Sequence, residues 1–157
     1  MSAASLVALC RANGLRLATA ESCTGGLVAG ALTAIPGSSA IFTHGFVTYA
    51  NEAKTQMLGV PEAMLAAHGA VSAPVAQAMA EGARTRAGAD YAVSTTGIAG
   101  PDGGSPRKPV GTVWFGLAGP AGSTAHHKLF HGNRDEIRAQ AVDFALMLLE
   151  RAGGDKR

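Results

Sequence analysis

Apolar stripes of helical period alternate along this chain with short apolar runs that end in small polar residues and glycine. Leu6, Leu9 and Cys10 fall at i, i+3 and i+4, predicting a first helix over Ser2 to Asn13, with Gly14 at its left-handed end. "LRLATAE" alternates apolar and polar, as a half-buried strand does. "TGGLVAGALTAIPG" reads as a helix with Thr24, Gly25 and Gly26 in its first turn, stopping before Pro36-Gly37. "AIFTHGFVTYA" is β-branched and aromatic, extended chain with a break expected at Gly45. Asn51 is placed to cap "EAKTQML", which Gly59 closes; Pro61 opens a short helix ending at Gly69. Ser72 caps the longer "APVAQAMAEGARTRA", with Pro74 tolerated in its first turn.

"ADYAVSTTGIAG" predicts a buried strand running into a polar, glycine-rich loop, and "PDGGSPRKP" has strong turn chemistry. "VGTVWFGLAG" and "STAHHKLFHG" predict a hairpin joined at "GPAG". In the last helix Asn133 and Glu136 resemble a capping box, and Ile137, Ala141, Phe144 and Leu148 form one stripe. Gly153-Gly154 is expected to end it, leaving a frayed tail from about residue 153. This order predicts one α/β domain over residues 1–157, with helices on both faces of a mixed sheet. The hairpin argues against an all-parallel sheet.

Composition narrows the classes. At 47% hydrophobic and 15% charged, the 157 residues suit a folded, well-buried domain. A net charge of +2 gives no electrostatic case for nucleic acid or membrane as partner. Cys10 and Cys23 form no C-x-x-C pair, so neither a zinc site nor a disulfide framework is expected, and two free thiols suit a reducing cytoplasm. "MSAASLVALCRANG" lacks the basic start of a signal peptide, and no transmembrane helix is expected. His127 and His131 would stand about 13 Å apart on a strand, too far to share a metal ion.

Three segments place small polar residues and glycine after a predicted strand: "TAESCTGG", "VTYANEAK" and "STTGIAGPDGG". In α/β sheets ligands gather outside the carboxyl ends of strands, so these loops are expected to converge. In the first, backbone N–H groups around Thr24, Gly25 and Gly26 are candidates for binding an anion, a phosphate or an oxyanion. The plainer reading is a helix start in which Ser22 or Thr24 satisfies an N–H group. The second offers Tyr49, Asn51 and Lys54; near the positive end of a helix dipole Lys54 would hold its proton less firmly and could act as a base. In the third, alternation puts Ser94 and Thr96 on one side and Thr95 on the other, and Thr96 is the better ligand contact. Cys23 is expected to pack, turned away from Ser22 by the same alternation.

Together, "TAESCTGG", "PGSSAIFTHGFVTYANEAKTQMLGV", "HGAVS" and "GIAGPDGGSPRKPVGTVWFG" resemble the C-terminal domain of the CinA (competence/damage-inducible) family, from about Leu6 to about Leu149. The resemblance is strongest to its stand-alone form and implies a three-layer α/β/α sandwich with a mixed, mostly parallel central sheet. It implies hydrolysis of the carboxamide of nicotinamide mononucleotide, with no metal and no cofactor. It implies Ser22 as nucleophile, Lys54 as base, and Tyr49 and Thr96 as active-site positions. Arg134 would be a phosphate contact, while Asn51, Gly97 and Gly100 would line the site. Glu21 is a further candidate to orient Lys54 or water. By analogy the protein would be a homo-oligomer, a dimer favoured. Full-length members carry an N-terminal domain resembling molybdopterin-binding proteins; this sequence lacks it, and the activity it confers is not expected. Rival readings are a nucleotide-binding or regulatory module without turnover, and an amidase for another pyridine amide.

Overall fold

In the computed structural model, which describes residues 3–154, the chain runs α1 (Ala3–Asn13), β1 (Leu17–Glu21), α2 (Leu27–Thr33), β2 (Phe42–Val47), α3 (Asn51–Leu58), α4 (Glu62–His68), α5 (Ala73–Ala87), β3 (Tyr91–Gly97), β4 (Thr112–Gly119), β5 (Gly122–Leu129) and α6 (Arg134–Gly154). The strands lie in the order β2-β1-β3-β4-β5. β1 pairs in parallel with β2 and β3, whereas β3–β4 and β4–β5 are antiparallel. Four of the five described strands therefore point the same way, although only two of the four pairings are parallel, because β4 reverses between β3 and β5.

Helices cover both faces, giving the three-layer α/β/α sandwich. On one face Leu6, Val28, Phe115, Ile137 and Leu149 join α1, α2 and α6 to the sheet. On the other Ala18, Ala20, Leu58, Val75, Met79 and Ala92 join α3, α4 and α5 to it. α5 sits close because the strands beneath it present small residues. The Ser94 hydroxyl donates to the Ala76 carbonyl at 2.6 Å and accepts the Gly116 N–H at 2.9 Å. Any Cβ at Gly116 would collide with that same carbonyl.

Several elements differ from expectation. β1 is buried at every residue, not half-buried, since helices pack on both its faces. β2 passes unbroken through Gly45, where Phe42, Thr19 and Ala29 leave little room for a side chain. α2 begins only at Leu27, because Gly25 and Gly26 take left-handed φ values of 57° and 106°. Asn51 is the first residue of α3 and Ala50 the cap, with no capping side chain. Ser72 does precede α5, but its hydroxyl donates to the Gly69 carbonyl at 2.8 Å. α6 continues through Gly153 and Gly154, Gly153 lying against Leu9 and Leu15. The Asn133–Glu136 capping box forms, with reciprocal bonds of 2.9 Å. Ser2 and the Asp155–Arg157 tail lie outside the described residues. Among the described residues no helix is long and apolar enough to cross a membrane.

Gly116→Ala should force α5 off the sheet and cost about 1–3 kcal/mol. Urea unfolding measures it; an unchanged midpoint would mean that the close approach of α5 does not constrain position 116.

Candidate functional site

The carboxyl ends of the parallel strands β1, β2 and β3 lie along one edge of the sheet, in register at Glu21, Val47 and Thr95. The Ser22 N–H extends the ladder to the Thr95 carbonyl at 2.9 Å, so the backbone of Ser22 is held where β1 ends. A cleft of about 300 Å³ opens at this edge, lined by Ser22, Tyr49, Asn51, Lys54, Thr96 and the 97–100 loop, with Arg134 at its rim.

Lys54 is the largest fully buried side chain among the described residues, at 1% exposure. The helical stripe that carries Leu58 inward also carries Lys54, four residues earlier. Its Nζ lies 2.9 Å from Ser22 Oγ, 2.7 Å from the Thr48 carbonyl and 3.1 Å from the Tyr49 carbonyl. Burial pulls its pKa down to about 8, while the nearby Cys23 acts weakly in the opposite sense. As an ammonium it donates to all three oxygens, with the Ser22 hydroxyl 3.4 Å from the Tyr49 carbonyl; once neutral, it can keep two N–H bonds to the carbonyls and turn its lone pair to Ser22 Oγ.

The carboxylate of Glu21 goes elsewhere. Buried to 1% exposure, it accepts the Val28 N–H at 2.8 Å, the Ala29 N–H at 3.0 Å and the Thr24 hydroxyl at 2.6 Å. It thus occupies the N-terminus of α2 and does not orient Lys54. Thr24 is fully buried, its hydroxyl also 2.7 Å from Thr95 Oγ1, and the Gly25 N–H is committed to the Ser22 carbonyl at 3.0 Å. Thr24, Gly25 and Gly26 do not line the cleft, and the chain's own carboxylate takes the N–H groups just beyond them, at Val28 and Ala29.

The other expected positions do converge. Thr96 faces the cleft, its hydroxyl donating to the Ala70 carbonyl at 2.9 Å. Gly97 leaves no space for a Cβ beside Val113 and Thr112, and Gly100 takes a φ of 80°. Tyr49 meets Lys54 and Ser22 through its backbone carbonyl, and a carbonyl relays no proton; its exposed phenol accepts from Arg134 Nη2 at 3.2 Å. Arg134 Nη1 donates to the Gly100 carbonyl at 2.7 Å, so this guanidinium ties two loops together across the rim. Cys23 packs as expected, buried in the core of the α1, α2 and α6 face, and also borders the cleft where β1 has ended. Burial raises its pKa to about 11 and that of Cys10 to about 11, so neither thiol supplies a ready thiolate.

The residue reading missed Arg138, which donates to the carbonyls of Cys23 at 3.2 Å and Thr24 at 3.3 Å. It follows Arg134 by one helical turn, a spacing that could have disclosed it. The Thr48 carbonyl was missed because a backbone acceptor has no residue signature. Among the described residues the Cys23 N–H donates to no backbone carbonyl.

A family model described as the CinA C-terminal domain matches residues 1–152. A putative competence-damage inducible protein of Symbiobacterium thermophilum is 60% identical over 147 residues, covering 88% of this chain and 34% of that protein. The chain thus spans about a third of the length of the full-length relatives it matches. The nicotinamide-nucleotide amidohydrolase PncC of Escherichia coli is 59% identical over 140 residues, covering 88% of this chain and 85% of that enzyme. The crystal structure of competence/damage inducible protein CihA from Agrobacterium tumefaciens superposes with a TM-score of 0.91 at 48% identity, covering 94% of this chain and 90% of that one.

Glu21→Gln would turn one of the carboxylate oxygens into a donor facing buried donors, and should destabilise the fold by about 2 kcal/mol. Thermal unfolding reads this directly. A melting temperature within a degree of the parent would show that the carboxylate is not what caps α2.

Proposed function

The chain belongs to the CinA C-terminal domain family, and from that membership we propose that it hydrolyses the carboxamide of nicotinamide mononucleotide to nicotinate mononucleotide and ammonia. The observation that carries this reading is the buried Lys54 amine 2.9 Å from Ser22 Oγ at the floor of a cleft. The likeness to the Escherichia coli amidohydrolase supports the choice of substrate.

Neutral Lys54 takes the Ser22 proton as Oγ attacks the amide carbon. The tetrahedral oxyanion would be met by the N–H of Cys23, the residue after the nucleophile, which donates to no backbone carbonyl, as Arg138 holds the Cys23 and Thr24 carbonyls on the far side of that turn. Lys54 then hands its proton to the leaving nitrogen, and ammonia departs. In the second half Lys54 takes a proton from water, the hydroxide displaces Oγ from the acyl carbon, and the proton returns to Ser22. The pyridinium charge of the substrate makes its amide carbon more electrophilic throughout. Two buried, free thiols accord with a reducing cytoplasm as the place of action.

Ammonia release from the mononucleotide, assayed side by side, should fall roughly a thousandfold or more in Ser22→Ala with the fold retained. Near-normal turnover in that variant would remove Ser22 from the nucleophile's role. The base must be neutral, and its pKa is about 8. kcat/KM should therefore rise about tenfold per pH unit below that value and level off above it. A profile flat from pH 6 to 9 would count against Lys54 as the base.

A further inference from the structure

A second cleft of about 470 Å³ adjoins the first, the two sharing Val71 in their walls. Its lining includes His68, Ser72, Ser105, Arg107, Lys108 and Trp114, and no acidic residue. The sheet links the two floors: Thr96 of the first cleft and Trp114 of the second are direct partners in the antiparallel β3–β4 register. Side chains so paired share a face with their Cβ atoms about 5 Å apart, here the face covered by α5. The wall between the clefts is the turn from α4 to α5. Thr96 donates to the Ala70 carbonyl of that turn, and Lys108 Nζ donates to the His68 carbonyl at 2.9 Å. The Lys108 tether docks the 101–109 loop against the turn and leaves Arg107, exposed and with no hydrogen bond or ion pair among the described residues, on the cleft.

These features matter because the cations of the first cleft already serve its own walls, whereas Arg107 serves none. Lys54 is buried against Ser22 and two carbonyls, Arg134 is engaged by Gly100 and Tyr49, and Glu21 fills the α2 terminus. A substrate with an amide at one end and a phosphate monoester at the other needs its anion held away from Ser22. We propose that the second cleft is the phosphate subsite, with Arg107 and Lys108 meeting the phosphate oxygens and the Trp114 ring flooring the sugar. This rests on the deamidase reading for its substrate, and it moves the phosphate contact from Arg134 to the 101–109 loop.

The test compares nicotinamide mononucleotide with nicotinamide riboside, which lacks the phosphate, in the ammonia assay. The parent protein should show a KM about tenfold lower for the nucleotide, the scale of one charge-assisted hydrogen bond. In Arg107→Ala that ratio should fall towards one, with kcat for the nucleotide retained; Arg107→Lys should restore part of it. A ratio unchanged by Arg107→Ala, or a variant that raises both KM values equally, overturns the subsite. If the parent releases no ammonia from either compound, the deamidase reading fails and the subsite is judged by calorimetry with the mononucleotide. Binding weakened about tenfold in Arg107→Ala then upholds it; absent binding, or binding equal in the two proteins, overturns it.

Discussion

The site depends on a lysine amine taken out of water. An amine in that position needs oxygen partners, and the structure supplies them from two neighbouring strand ends: the carbonyls of Thr48 and Tyr49, where β2 has ended, and the hydroxyl of Ser22, where β1 has ended. The strand ends are in register, so the three oxygens arrive together. The backbone around Lys54 is pinned as well, its own carbonyl accepting the Val60 N–H while its N–H reaches the Ala50 carbonyl. Burial costs the ammonium more than the amine, and the same burial that strains the charged form yields a group able to accept a proton near neutral pH.

Three further charges brace this arrangement. The Glu21 carboxylate satisfies the start of α2, and Thr24 and Thr95 complete its buried network. Arg138 grips the turn that follows from outside, and Arg134, one helical turn earlier, grips the loops at the rim. The first turns of α6 thus act as a strut for the turn that carries Ser22.

Helices with strong periodicity and glycine ends were legible from the sequence, as were the hairpin and the Asn133–Glu136 box. The order of strands and the pairing of β1 with both β2 and β3 were not, since parallel neighbours come from distant segments. Thr96 stands out because three hydroxyls at a strand end exceed what a turn requires, whereas Ser22 and Lys54, each open to a plainer reading as cap and surface lysine, are singled out by the family resemblance. Glu21 was misread for a physical reason: a carboxylate one residue before a serine looks catalytic, yet its oxygens are committed to two N–H groups seven and eight residues on. Gly25 and Gly26 misled similarly. Their left-handed backbone turns the chain from strand to helix, a need that resembles an anion cradle in one dimension.

Strand alternation divides the labour within β3. Thr95 faces α2 and α6 and supports the turn after β1 through Thr24, whereas Ser94 and Thr96 face α5. Ser94 locks α5 onto the sheet, and Thr96, two residues on, has run past the helix and meets the cleft. Its cross-strand partner Trp114 carries that face into the second cleft. A slip of one residue between β1 and β3 would exchange these assignments, turning Thr95 towards α5 and taking the Glu21–Thr24–Thr95 network apart. The buried network is then more than support for one turn: by tying Thr95 to the face of α2, it fixes the register that lets Thr96 and Trp114 floor adjoining clefts.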